Sequence, residues 1–287
     1  MGAILLSLVP ALGWGAQSLV MQKVGGKFTN KVMGMVLGTM IFSLVILLFR
    51  GLPNFSFNLI VGSLLCGASW CFGQLLQVKS FDLVGVTITM PISTGEQLLG
   101  TTLFGAIYFH EWTEHWQFIL GITALIIIIS GVTIISKSKR GNYDKTNLKR
   151  SLLLLLLSTF GMMGYAIFPR LFGLNGWDML FPQALAMLLT MTILVLLQKD
   201  NNMFSKKTLA NIPTGFCFAI ANLALLLSNE INGIAVGFTM SQLNVVVSTL
   251  GGMFLLNESK SKRERMIVFV GLIFVLVGAT LIGITKN

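Results

Sequence analysis

Charge is scarce in this sequence. Only 10% of its 287 residues are Asp, Glu, Lys or Arg, where a soluble domain carries about 25%, so a water-soluble globule is excluded. Histidine occurs twice and cysteine three times. Cys66, Cys71 and Cys217 fall inside apolar runs without metal-ligand spacing or loop partners, and are expected to be small packing residues. No HExxH, GxSxG, GxxxxGK[ST] or CxxC motif is present. A membrane-embedded enzyme needs acid, base or metal ligands converging at one depth, and the runs hold one central carboxylate and no central histidine. No catalytic residue, metal or cofactor is expected. The first apolar run follows no basic segment and precedes no small-residue cleavage site, so it is expected to be retained as a span.

What is abundant is apolar length. Hydrophobic residues make up 54% of the chain and mean hydropathy is +0.83. Ten apolar runs, each near the 20 residues that cross a bilayer, cover roughly 3–22, 32–49, 57–78, 85–108, 116–136, 151–171, 179–197, 208–228, 234–256 and 265–285. The alternation of a barrel is missing. The expected fold class is therefore an all-α integral membrane protein with ten transmembrane helices. The net charge of +10 reads as topology rather than nucleic-acid affinity. Seventeen Lys and Arg fall in the odd-numbered loops, and only Arg50, Arg170 and Lys286 lie on the other side. Basic loops stay cytoplasmic, which predicts a multi-pass protein of the cytoplasmic membrane with both termini outside.

The polar stretch SKSKRGNYDKTNLKR divides the chain. Residues 1–136 are expected to form a first five-helix repeat, 137–150 a basic cytoplasmic linker and 151–287 a second five-helix repeat. The halves echo each other at an offset near 147 or 148. Trp70–Gln74 aligns with Phe218–Asn222, Thr101–Gly105 with Ser248–Gly252, and His110-Glu111 with Asn257-Glu258. Five is odd, so the second half enters the membrane from the opposite side, giving the inverted repeat that alternating access uses. Gly34 with Gly38, and Gly233 with Gly237, provide small-xxx-small faces for close helix packing.

The residues a bilayer should reject then mark a site. Glu96 lies near the centre of the fourth run, where a charged side chain costs roughly 2.5–3.5 kcal/mol. Pro91 removes a backbone hydrogen bond. Together with Ser93, Thr94 and Gly95 it predicts a kinked or unwound segment lining a cavity, with the helix break at Pro91 and Gly95. Gln97, Trp70, Gln74, Gln77, Asn222, Gln242, Asn244 and the deeply placed Trp14 share that depth. Gln242 and Asn244, two positions apart, are expected on different helix faces. Amides, hydroxyls and aromatic faces together suit a neutral polyhydroxylated solute, and Glu96 suits either a sugar hydroxyl or a coupling proton. For each residue taken singly, interhelical hydrogen bonding remains the competing role. Trp112, Trp116, Trp177 and Tyr108 fall at run ends and suit the aromatic belt.

Lys79-Ser-Phe-Asp-Leu-Val-Gly85-Val, then Thr89-Met-Pro-Ile-Ser-Thr-Gly95-x-Gln97-Leu, Thr101–Gly105 and Phe109-His-Glu-Trp112 resemble the signature of the bacterial glucose/ribose uptake proteins, a family of the drug/metabolite transporter superfamily. Pro10-Ala-x-x-Trp14-Gly15, Trp70-x-x-Gly73-Gln74 and Ser248-Thr-Leu-Gly-Gly-x-Phe254 extend the resemblance along the chain. It implies a drug/metabolite transporter-like fold of five plus five helices that imports a monosaccharide, glucose or ribose, by proton symport. The proton gradient would then be the energy source, in the cytoplasmic membrane of a Gram-positive-type bacterium. It also implies an uncharged residue at position 96, where this chain has Glu96. The alternative from the same architecture is an exporter of amino acids or cationic drugs, with Glu96, Trp14 and Trp70 forming an acidic, aromatic cavity.

Overall fold

The computed structural model describes residues 2–110, 112–138, 144–198, 203, 205–232, 238, 240–258 and 261–285; Glu111 and the pair Gly233 and Gly237 lie outside them. The helices are α1 (Gly2–Val24), α2 (Phe28–Arg50), α3 (Phe57–Val84), α4 (Val86–Tyr108), α5 (His115–Ser138), α6 (Lys145–Leu171) and α7 (Gly176–Leu197). The short α8 (Lys206–Ala210), α9 (Ile212–Asn232), α10 (Asn244–Phe254) and α11 (Lys262–Ile284) follow. No strand occurs among the described residues. Seven helices (α2, α3, α5, α6, α7, α9 and α11) are long and apolar enough to cross a membrane. The length of α4 suffices, but Ser93, Thr94, Glu96 and Gln97 dilute its apolar character. Within the basic linker expected over 137–150, the described residues 145–150 are helical, because Asp144 caps α6 by accepting from the Thr146 amide at 3.1 Å and the helix begins at Lys145.

Polarity is arranged inside out. Leu48 and Phe49 on α2 are each 85% exposed, as befits a hydrocarbon solvent, while Gln17, Gln74, Gln183, Asn222 and Ser241 are buried. A bilayer offers backbone and side-chain polar groups no partners, so they turn inward.

Helix crossings fall into matched pairs. The contact of α1 with α9 is matched by that of α6 with α3, and the contact of α2 with α9 by that of α7 with α3. The residues at these crossings correspond as well. A Cβ on Gly13 would lie 2.8 Å from Ala221 Cβ, and one on Gly161 2.8 Å from Gly73 Cα. Gly38 faces Gly215 in the same way, and Gly67 faces Ala186. Residues 13 and 161, 73 and 221, 38 and 186, and 67 and 215 are all 148 apart. Among described residues, the two non-glycine positions with positive φ are His110 (51°) and Asn257 (53°), one at each aligned loop.

Carboxylates close the helix ends. The Val86 and Thr87 amides, at the start of α4, donate to Glu258 at 2.9 and 2.7 Å. The Gly176 amide, at the start of α7, donates to Glu230 at 2.6 Å. Each places negative charge at a helix N-terminus, where it is favoured. Lys31, buried on α2, is paired with Asp82 on α3 and donates to Gln22 on α1 at 2.9 Å.

The expected helix break is absent from α4, which is continuous through Pro91 and Gly95. Pro91 is only six residues into the helix and forfeits one bond, to the Thr87 carbonyl. The interruption occurs instead at the aligned place in the second half. Gln242 and Leu243 form a turn before α10, with Leu243 N donating to Met240 O and Val245 N to Gln242 O, a tightened pattern one residue shorter than an α-turn.

The glycine crossings generate a prediction. A Cβ at position 38 would lie 2.9 Å from Gly215 Cα, so Gly38→Val forces side-chain atoms into a backbone contact, and overpacking of this kind costs roughly 1–3 kcal/mol. Thermal unfolding in detergent should show a lowered midpoint for Gly38→Val, while Gly283→Val, with open space around it, keeps the wild-type value.

Candidate functional site

Helices α1, α3, α4, α6 and α9 and the Gln242–Leu243 turn border a cavity with about 540 Å³ of empty space, open solvent at its mouth included. The centres of water-sized molecules have about 50 Å³ to occupy within it. At roughly 10–15 Å³ for each water, that is room for a few waters or for one compact solute that displaces them.

One wall is aromatic. Phe218 lies at its centre, with ring centroids 4.5 Å from Trp70, 6.5 Å from Trp14 and 6.4 Å from Tyr165. Trp14 meets Tyr165 edge-on at 6.4 Å. These separations suit offset and edge contacts between aromatic quadrupoles, so the wall is rigid before any ligand arrives. The helices can present it because α1 runs against α9 at Gly13, leaving Trp14 one residue on to turn inward.

Among the described residues, the remaining lining is mostly polar and carries no charge. It includes Gln17, Ser18, Gln74, Gln77, Thr94, Gln97, Gln242 and Asn244, with Phe81, Met90, Met162 and Phe238 between them. Some of these groups are satisfied: Gln77 Nε2 and Gln97 Nε2 both donate to Ser93 Oγ, at 2.7 and 2.8 Å, and Ser18 Oγ donates to the Gly15 carbonyl at 2.8 Å. Four are not. Trp14 Nε1, Gln17 Oε1, Gln74 Nε2 and Asn244 Oδ1 are buried without a hydrogen-bond partner, and Gln17, Gln74 and Asn244 are only 4–5% exposed as residues. A buried polar atom left unpaired costs about 1–3 kcal/mol. Residues carrying two unpaired donors and two unpaired acceptors thus line one cavity.

Eight of the ten residues expected at the site therefore line one cavity: Trp14, Trp70, Gln74, Gln77, Thr94, Gln97, Gln242 and Asn244. Gln242 and Asn244 both reach it because the turn between them rotates the chain, which corrects their expected separation onto different faces. Asn222 and Glu96 are not in the lining. Asn222 lies behind the wall, accepting from the Tyr165 hydroxyl and donating to Gln183 Oε1 at 2.8 Å. Glu96 faces α6, where Thr159 Oγ1 donates to its carboxylate at 3.1 Å. Gln17, Ser18, Tyr165 and Phe218 line the cavity without having been singled out by the sequence. The offset contained a signal for one of them, since 148 positions pair Phe218 with the expected Trp70.

A family model described as "Sugar transport protein" matches residues 5–285. The chain is 39% identical over 287 residues to "Glucose uptake protein GlcU" of Bacillus subtilis, covering 99% of each chain. It is 38% identical to "Probable glucose uptake protein GlcU" of Priestia megaterium, again over 99% of each. A solved structure titled "Crystal structure of protein" shares the fold with a TM-score of 0.70, covering 100% of this chain and 98% of that one, at 13% identity.

The unpaired atoms make a measurable prediction. Gln74→Met keeps the side-chain volume and removes a buried amide whose Nε2 has no partner. Ligand-free protein should gain about 1 kcal/mol of stability, read as a raised unfolding midpoint in detergent. The same variant should lose much of the stabilisation that a polar ligand confers on wild type.

Proposed function

The chain belongs to the sugar transport protein family, and from that membership we propose that it imports a monosaccharide, glucose or ribose, across the bacterial cytoplasmic membrane as a secondary transporter. The observation that carries the reading is the uncharged cavity with two unpaired donors and two unpaired acceptors. Each hydroxyl of a sugar both donates and accepts, so a polyhydroxylated ring suits a lining that offers both kinds of group, with its C–H face on the aromatic wall. The family resemblance and the names of the relatives point the same way.

An exporter of cationic drugs wants a carboxylate in its binding cavity. The lining holds none, and the Glu96 carboxylate is engaged by Thr159 on α6. That arrangement counts against the exporter reading.

Alternating access follows from the proposed inverted repeat. Its support is the set of matched crossings, whose residues stand 148 apart, and the paired positive-φ loops at His110 and Asn257. Ten spans in two five-helix halves, 1–136 and 151–287, remain the proposed arrangement, with α10 and the turn before it forming the ninth. The Lys and Arg distribution supports cytoplasmic odd-numbered loops and both termini outside. The central cavity would open alternately to either side as the halves exchange conformations.

Proton symport is the proposed coupling, with Glu96 as the proton carrier. It is a lone carboxyl in the interior of α4, held outside the sugar cavity yet adjacent in sequence to Gln97, which lines it. Protonation there can bias the packing of α4 on α6 and so the exposure of the sugar site.

Uptake of labelled glucose and ribose by transporter-deficient cells, across a pH series, tests both parts. Wild type should accumulate one or both sugars above the external concentration, more strongly at acid pH. Glu96→Gln should retain sugar binding within about threefold, roughly 0.6 kcal/mol, but should equilibrate sugar without accumulating it. Accumulation by Glu96→Gln with the pH response intact would remove Glu96 from the coupling.

A further inference from the structure

We propose that Asn222, Gln183 and Cys66 form with Tyr165 a closed hydrogen-bonded circuit that fixes the Tyr165 ring as part of the sugar-binding wall, which makes these three positioning residues for recognition. The proposal rests on the sugar-cavity reading above.

The circuit can be followed atom by atom. The Tyr165 hydroxyl donates to Asn222 Oδ1. Asn222 Nδ2 donates to Gln183 Oε1 at 2.8 Å, and Gln183 Nε2 donates to Cys66 Sγ at 3.1 Å. The Cys66 thiol then donates to the carbonyl oxygen of Tyr165 itself, at 3.3 Å. Tyr165 is on α6, Asn222 on α9, Gln183 on α7 and Cys66 on α3, so four helices meet in one ring of bonds. All four residues are at most 5% exposed.

Three features separate this ring from ordinary interhelical hydrogen bonding. Every member donates once and accepts once, so the bonds run in a single sense and polarise one another. That sense also fixes both amides, since turning Asn222 over would set acceptor against acceptor and turning Gln183 over would set donor against donor. Finally, the ring touches the cavity at one member only. Tyr165 is in the lining, whereas Asn222, Gln183 and Cys66 are not.

The consequence for recognition is geometric. A tyrosine ring held only by packing can swing about its side-chain torsions. Tethered at its hydroxyl and at its own carbonyl, Tyr165 keeps its edge on Trp14 and its place beside Phe218. Phe218 lies one turn before Asn222 on α9, so the same bond sets the register of the wall's central ring. With the hydroxyl consumed, Tyr165 offers the cavity an apolar ring rather than a polar tip. Hydroxyl recognition then falls to Gln17, Gln74, Asn244 and Trp14.

Uptake kinetics with glucose or ribose, together with unfolding midpoints measured without sugar, test the circuit. Tyr165→Phe and Gln183→Met should each raise KM about tenfold, the effect of one well-formed hydrogen bond, with Vmax within about twofold of wild type. The double variant should be no worse than the more affected single one. Cys66→Ser, which keeps a donor and an acceptor, should restore the KM that Cys66→Ala loses. The proposal is overturned by an unchanged KM in folded Tyr165→Phe and Gln183→Met, or by losses that multiply in the double variant. It is overturned too if Tyr165→Phe alone raises KM, since the hydroxyl would then act on the sugar directly. If wild type takes up neither sugar, the transport reading falls and the positioning role falls with it. The circuit is separately refuted if the midpoint losses of the two single variants add in the double.

Discussion

Hydrocarbon provides no hydrogen bonds, and the arrangement of this molecule follows from that constraint. Amides and hydroxyls that a soluble protein would leave to water must here find partners between helices or border a wet space. Many find partners: Ser93 accepts from two glutamines, Ser158 donates to the Gly73 carbonyl at 2.7 Å, and Glu96 accepts from Thr159. Four residues with an unpaired buried polar atom, Trp14, Gln17, Gln74 and Asn244, instead line one cavity. An unpaired polar atom in a low-dielectric interior is expensive.

The same constraint shapes the scaffold. With no water to drive helices together, association depends on close van der Waals contact and short polar bonds, which small residues permit. Gly38 against Gly215 and Gly73 against Gly161 bring backbones near enough to be held by contact alone. These crossings recur at a fixed offset, and under the proposed inverted repeat the frame around the cavity would keep nearly the same shape when its two halves are exchanged. An energy difference between two arrangements of such a frame can be small, which is what a protein needs if a modest solute is to shift it between states.

Much of this is legible in the chain. Long apolar runs, the offset near 148 and the cluster of central polar residues lead to helices, to matched crossings and to eight of the residues around the cavity. The misses have physical causes. Pro91 advertises a break, yet its place near the start of α4 costs a single backbone bond, and the helix runs on. The actual turn at Gln242–Leu243 contains neither Pro nor Gly and depends on shortened backbone bonds that no local sequence signal announces. The depth of Asn222 points to a ligand contact; its direction is set by Tyr165 and Gln183, which are 57 and 39 positions away. Cys66 lacks a ligand pattern and so suggests packing alone, and its weak sulfur bonds become visible only when α6 and α7 are in place.

Symmetry in the frame is not carried through to the lining. Position for position, Trp14 stands opposite Met162, Gln17 opposite Tyr165 and Trp70 opposite Phe218, while Gln74 remains unpaired and its counterpart Asn222 is bonded behind the wall. The first half thus contributes six of the eight polar lining residues, while the apolar and aromatic ones divide evenly, four from each half. A solute related to itself by a twofold axis could use matched sides, but a sugar ring cannot, because its hydroxyl edge and its C–H face demand different chemistry. An exchangeable backbone with a non-exchangeable lining meets both requirements. Under the proposed alternating access, the backbone would keep the inward-facing and outward-facing arrangements close in energy, and the lining would hold the solute in one orientation throughout. Within this division the tethering of Tyr165 and Asn222 has a clear physical purpose. It removes two polar groups from the second half's side of the cavity, and so creates the chemical difference on which one-sided recognition depends.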